Sequence, residues 1–366
     1  MKNSNLFSPF IFPNGKRVKN RISVAPMTNM LSADNGEVSE LDIQWLQRFK
    51  GGGFGTVITP ASYVSKSGQG WPNQLGIHDD SLQSGLNTLG NALLSEDGLN
   101  IVQIAHNGGR SPSSVTGEQP LSASSYSLDL PDFEQPKALS VNDINEIKQN
   151  YVSAAVRAYR AGFDGVELHF ANGYLITQFL STTTNLRQDM YGGNLENRAR
   201  YAREIVQACR TKLPDDFLIG ARLSPEGDGL DIDEAIITSQ WLVNDGLDFI
   251  HLSQLEAAAP ATKYAEQKNP VVSYFREALG DSFPIFVAGG IFSGEIASGL
   301  IDAGASFVAL GRTAIGNPDW PLLIKQSLQP TPYPYKSKEL LEKGAPQEII
   351  DYCNNYIPFL GVISEE

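Results

Sequence analysis

Three residues able to donate a hydrogen bond or a proton stand within six positions: His169, Asn172 and Tyr174. They follow a short apolar run, 164–168, that reads as a strand. In a β/α protein, chemistry is placed just past the C-terminal ends of strands. His169 and Asn172 can both donate to one carbonyl oxygen. That withdraws electron density from a conjugated C=C bond and prepares its β-carbon to accept hydride, with the charge developing on oxygen met by prepositioned donors. Tyr174 can then supply a proton to the α-carbon. A phenol is a weak acid in water, with a pKa of about 10, but it suits concerted transfer to an incipient carbanion. A lone histidine at a strand end is more often a satisfied polar residue. Three such residues, inside the longer motif described below, make chemistry the stronger reading. No other cluster of histidines or carboxylates has metal-ligand spacing, so no metal is expected.

A phosphate site is the second constellation. Gly289 and Gly290 end one apolar run, and Gly311-Arg312 ends the next. Glycine lets backbone N–H groups approach a phosphate, and arginine adds a bidentate charge. Barrels often build such a site after strands seven and eight. Either pair alone would read as a tight turn; the two together favour phosphate. A dinucleotide fingerprint fails: 51–55 is glycine-rich but follows a helical pattern and precedes a strand, the reverse of a Rossmann loop. Those glycines read as a helix stop. Three further polar residues sit in or after apolar runs, and each has two readings. Thr28, in Ala25-Pro26-Met27-Thr28, is a turn residue or a hydroxyl that meets a ligand's carbonyl. Gln103 is a structural bridge or a partner for a pyrimidine edge. Arg222 is half of a salt bridge or a cation for an anionic ring.

These residues need elements to hold them. Eight apolar runs read as strands: 22–26, 56–59, 101–105, 165–169, 218–223, 249–253, 285–288 and 307–310. Helical patterns alternate with them. Ile144, Ile147, Tyr151, Ala154 and Ala158 share one face, with Ser140 and Asp143 as a capping pair and Gly162 as a stop. Asp231 with Glu234 opens another helix. Eight βα alternations predict an α/β protein, a closed (β/α)8 TIM barrel, over a doubly wound sheet. A hairpin over 10–18, turning at Asn14-Gly15, is expected to cover the barrel bottom. The Ser-, Pro- and Gly-rich stretch 107–139 after the third strand is too long for an ordinary loop and reads as a cap over the site, or as a disordered insertion. Residues 1–330 then form one barrel domain, and 331–366 a peripheral C-terminal extension.

Composition narrows the partners. A net charge of −13 excludes a nucleic-acid surface and disfavours anionic membranes. No apolar run reaches the length of a transmembrane helix. The N-terminal stretch reads as mature protein rather than a signal peptide. The two cysteines, Cys209 and Cys353, lack metal or redox spacing and fit a reducing, cytoplasmic location. Large barrel faces and the tail leave room for a homo-oligomer.

The motif around the donor triad is long: H-x-x-N-G-Y-L from His169, Q-F-L from Gln178, then N-x-R-x-D-x-Y-G-G-x-x-E-N-R from Asn185 to Arg198. It resembles the signature of the old yellow enzyme family of FMN-dependent ene-reductases, and the likeness extends over about residues 6–328. ALGRTAIGNPDW resembles that family's FMN-phosphate segment. The resemblance implies His169, Asn172 and Tyr174 as catalytic residues. It implies Pro26, Met27, Thr28, Ala61, Gln103, Arg222, Gly289, Gly290, Gly311 and Arg312 as FMN contacts. It further implies a ping-pong cycle: NADH or NADPH reduces FMN, an activated alkene such as an enone takes hydride from flavin N5, and Tyr174 donates the proton. A diaphorase acting on quinones is the alternative. The second half of the motif reads as a structural loop leading into a helix near Asn194. HNGGR at 106–110 is one residue longer than the family's commoner HAGR, and His106 is given no role. Met30 and Ala105 stand where branches of the family carry a tyrosine and a tryptophan, which predicts a roomier wall there. A phosphate-binding isomerase or aldolase, and a non-catalytic ligand-binding barrel, are the other classes the residues allow. No lysine sits at a strand end to form a Schiff base.

Overall fold

The computed structural model describes residues 3–128 and 133–363. Among the described residues, eight parallel strands close into a barrel: β1 (Ile22–Val24), β2 (Thr56–Ile58), β3 (Leu99–Ala105), β4 (Gly165–Phe170), β5 (Leu218–Leu223), β6 (Phe249–Ser253), β7 (Ile285–Ala288) and β8 (Phe307–Leu310). Each pairs with the next, and β8 returns to β1 through Val308 opposite Ile22. The chain has a (β/α)8 TIM-barrel fold. All eight expected strands are present, with ends shifted by at most two residues.

The helices that alternate with these strands are α1 (Glu40–Gly51), α2 (Gln83–Leu93), α3 (Val141–Arg160), α4 (Leu195–Lys212), α5 (Ile232–Asn244), α6 (Val271–Leu279), α7 (Gly294–Asp302) and α8 (Trp320–Lys325). Their starts are chemically marked. Ser140 and Asp143 form the expected capping box on α3, and Asp231 accepts from the Asp233 and Glu234 N–H groups on α5. Gly52 and Gly53 end α1, as the reading of 51–55 required.

The barrel interior divides into two chemistries. Its lower half is apolar and aromatic: Phe249, Phe286, Phe307, Leu218, Ile101 and Ile58 pack with Phe12 and Val18. Phe286 stacks on Phe307 at 4.2 Å. Gly220 makes room for this layer, because a Cβ there would lie 2.0 Å from the Phe249 ring. Phe10–Ile11 pairs antiparallel with Arg17–Val18, so the expected hairpin plugs the barrel bottom. The upper half is polar, and register assembles it. Gln103 faces Glu167 across β3 and β4, and Arg222 faces His169 on one side and His251 on the other.

The loop after β3 is built rather than loose over its described part. It holds a short helix, Ser113–Thr116, and a parallel pair, Leu121–Ser122 with Lys137–Ala138. Residues 129–132 of the expected cap lie outside the described residues. The segment after Pro330 is not confined to the periphery. Its helices Ser337–Glu342 and Gln347–Asn355 bury Leu340, Ile349, Ile350 and Cys353 in the main core. Their apolar periodicity was masked by surrounding Pro, Lys and Glu.

Candidate active site

A cavity of about 740 Å³ opens at the C-terminal ends of the strands. The structure brings every residue expected to do catalysis or hold FMN to its wall: Pro26, Met27, Thr28, Ala61, Gln103, His169, Asn172, Tyr174, Arg222, Gly289, Gly290, Gly311 and Arg312. These come from β1, β2, β3, β4, β5, β7 and β8 or the loops that follow them, and barrel closure alone brings them together.

His169 is the penultimate residue of β4 and is 3% exposed. Its Nδ1 accepts from the Ala171 N–H at 3.3 Å, which leaves Nε2 as the protonated nitrogen. Burial, reinforced by the Arg222 charge, holds its pKa well below the ordinary histidine value, so the ring is a neutral donor. Asn172 takes a left-handed conformation, φ 61°. Its N–H donates to Ser224 Oγ at 2.9 Å, and its carbonyl accepts from Arg110 Nη1 at 2.7 Å. Its Oδ1 accepts from Ser253 Oγ at 3.0 Å, which leaves Nδ2 to donate elsewhere. Tyr174 precedes the short helix Leu175–Leu180, and its ring meets that of His169 edge-on at 4.8 Å. Burial raises its pKa, while Arg110 and Arg222 pull it back down. Two N–H donors and one phenol therefore lie at one end of the cavity.

The opposite end is glycine-lined. Gly289 and Gly290 have φ of 134° and 61°, and a Cβ on Gly289 would lie 2.2 Å from the Gln254 carbonyl oxygen. A Cβ on Gly311 would project into open space, with Met27 Sδ its nearest neighbour at 3.9 Å. Arg312 Nη2 lies 3.8 Å from the exposed Glu256 carboxylate, and that carboxylate also reaches the space beside Gly290. An anionic group is thus already drawn to this cradle. Arg222 Nε and Gln254 Oε1 are also buried without a partner among the described residues. A phosphate-bearing ring system with acceptor and donor edges fits such a set.

Sequence reasoning missed several neighbours. Glu167 and His251 are fully buried beneath the cavity. Glu167 carried the same signal as Gln103, a polar residue within an apolar strand. Arg110 sits over the Tyr174 ring at 5.2 Å. Trp71 lines the cavity, whereas Met30 and Ala105 are not among the residues that line it. Tyr352, from the tail, also lines it, on the same wall as Thr28. His106 is structural, with Nδ1 accepting from the Gly108 N–H at 3.0 Å.

The second half of the motif is a scaffold, as expected. Asn194 caps α4 by accepting from Asn197 N–H at 3.0 Å. Asn185 Nδ2 donates to the Phe179 and Tyr191 carbonyls at 2.6 and 2.7 Å. Arg198 pairs with Glu234 at 2.6 Å.

Comparison with known proteins decides the family. The family model described as "NADH:flavin oxidoreductase / NADH oxidase family" matches residues 5–330. This chain belongs to that family, the old yellow enzymes. It is 34% identical over 351 residues to the probable NADH-dependent flavin oxidoreductase YqiG of Bacillus subtilis, covering 94% of this chain and 92% of that one. It is 31% identical to the NADH:fumarate oxidoreductase of Klebsiella pneumoniae, covering 87% of this chain but only 36% of that protein. Among solved structures, the old yellow enzyme homologue from Zymomonas mobilis superposes with a TM-score of 0.80 at 27% identity, over 93% of this chain and 99% of that one. This old yellow enzyme homologue is an NAD(P)H-dependent flavin oxidoreductase, and its cofactor is FMN. Among the described residues no helix is long and apolar enough to cross a membrane.

Proposed function

We propose that this flavoenzyme reduces activated C=C bonds of α,β-unsaturated carbonyl compounds. One observation carries the reading: His169 Nε2 and Asn172 Nδ2 are both left free to donate at the end of the cavity where Tyr174 stands. Bound FMN supplies the two-electron carrier between NADH or NADPH and the alkene. The chain's own residues do the rest. His169 and Asn172 hold the substrate carbonyl and meet the charge that develops on its oxygen. Tyr174 holds a proton at its hydroxyl, and its raised pKa keeps that proton in place through neutral pH until the α-carbon needs it.

The remaining assignments belong to the same reading. Gln103 and Arg222 would hold the ring, Pro26, Met27, Thr28 and Ala61 would line it, and Gly289, Gly290, Gly311 and Arg312 would hold the phosphate. The Klebsiella relative's name includes a conjugated alkene, fumarate, and supports an alkene substrate class. Cys209 and Cys353 are buried free thiols, in keeping with the cytoplasm.

The test is spectroscopic. The purified yellow protein is bleached anaerobically with NADH or NADPH, then mixed with 2-cyclohexenone. Return of the flavin bands is expected. In Tyr174→Phe the bleaching rate should hold and the return should slow by about 10²–10⁴-fold, the usual contribution of a positioned acid. Bleaching without return in the native enzyme would overturn the alkene reading and point to a diaphorase using quinones.

A further inference from the structure

Glu167 has no part in the site as described so far, yet it lies at its base. It is fully buried in β4. Its Oε1 accepts from Gln103 Nε2 at 2.7 Å, and its Oε2 faces His251 Nδ1 at 2.7 Å. Barrel closure does not ask for a carboxylate here. An apolar residue would fill an interior strand position without the cost of desolvating a charge. The partners explain its presence, because Gln103 and Arg222 both line the FMN cavity.

An ionised carboxylate only accepts hydrogen bonds. Gln103 must therefore turn Nε2 toward Glu167, and its amide can offer the cofactor only Oε1 and its second N–H. Without the carboxylate, either amide atom could face the cavity. The charges are equally constrained. His251 gives its Nδ1 proton to the bond with Glu167, its Nε2 is buried without a partner among the described residues, and burial favours the neutral ring. Arg222 is then the full positive charge of the group. It is not bonded to Glu167; its Nη1 donates to the Pro26 carbonyl at 3.4 Å, and it feels the carboxylate as a neighbouring charge.

We propose that Glu167 is a positioning residue for the cofactor, fixing through Gln103 which amide atoms meet the flavin and limiting how much of the Arg222 charge the flavin feels. The inference rests on FMN binding and is independent of the oxidising substrate. Its readouts are the flavin midpoint potential, measured against an indicator dye in the holoenzyme, and the dissociation constant for FMN.

Glu167→Gln keeps the shape and removes the charge. Reduction adds negative charge to the flavin, and an uncompensated Arg222 favours it, so the midpoint potential should become more positive and FMN should be held less tightly. A carboxylate that served only the barrel's stability would lower the melting temperature and leave the potential unmoved; that result overturns the proposal. Should Glu167→Gln fail to fold, the exchanged variant Glu167→Gln/Gln103→Glu keeps the net charge and one amide–carboxylate pair. It places the carboxylate against the cofactor instead, and FMN affinity should fall by about tenfold or more, as when a charge-assisted contact is replaced by a mismatch. Native FMN affinity in that exchange also overturns the proposal.

Discussion

The Arg110 guanidinium lies 5.2 Å from the centre of the Tyr174 ring while its Nη1 holds the Asn172 carbonyl at 2.7 Å. One side chain thus touches two members of the donor triad. Burial makes the Tyr174 phenol a weaker acid, and the Arg110 and Arg222 charges oppose that. The balance keeps the proton in place at neutral pH while easing its departure. Replacing Arg110 by Met retains bulk and removes the charge. Alkene-dependent reoxidation should slow by about 2- to 5-fold, on the order of one exposed cation–π contact. Reduction by NADH should be unchanged, and stopped-flow absorbance separates the two halves. His169, Asn172 and Tyr174 were legible in the sequence because they are polar, close together and at a strand end. Arg110 was not, although HNGGR was noticed. Its meaning depends on Gly108, whose φ of 63° and close approach to Gln178 and Leu175 bring the loop after β3 against the loop after β4. No spacing along the chain encodes that approach.

At the scale of elements, the alternation of apolar runs and amphipathic patterns was enough to reveal all eight strands, since buried parallel strands are continuous and apolar. The hairpin was legible from Asn14-Gly15, and Gly15 does adopt φ 89°. The tail was not legible, because its helices gain their meaning from the surface they meet. Tyr352 joins the cavity wall that Thr28 lines from more than 300 positions away. The loop after β3 is an intermediate case, long enough to suggest a cap but silent on what fastens it. Arg187 does the fastening: it donates to the Ala123 carbonyl at 2.9 Å and the Leu139 carbonyl at 2.6 Å, and it pairs with Asp189 at 2.5 Å. One side chain from the motif therefore clamps both arms of the cap. Arg187→Ala leaves two carbonyls without their donor, at a cost of about 1–3 kcal/mol each where water cannot replace it. Limited proteolysis should cut faster within 107–139, and the flavin spectrum should stay native. An unchanged cleavage rate would mean the cap is held by the Leu121–Ser122 and Lys137–Ala138 pairing alone.

For the molecule as a whole, the response to acid follows from its histidines. All four, His78, His106, His169 and His251, have pKa values lowered by burial, His106 to about 3. A folded pKa below the unfolded value of about 6.5 means that the unfolded chain takes up the proton first. The stability these groups allow is fully present above pH 6.5 and is lost as pH falls toward their folded values. Each group that protonates only on unfolding steepens that loss by up to roughly 1.4 kcal/mol per pH unit, and His106, held at about 3, does so throughout the range from pH 6.5 to 5. The overall charge works the other way. At a net charge of −13 the surface repels itself, and mild acid relieves that repulsion. A melting temperature that is level from pH 8 to 7 and falls between pH 6.5 and 5 is therefore the signature of the buried rings rather than of the surface. Calorimetry across that range would show it, and His106→Asn should remove about one proton's share of the slope. A melting temperature that rises on mild acidification would mean that relief of surface repulsion exceeds the histidine contribution. The same lowered pKa keeps His169 a neutral donor throughout this window, so activity lost below pH 6 should track loss of the folded barrel and not protonation of the ring that receives the substrate oxygen.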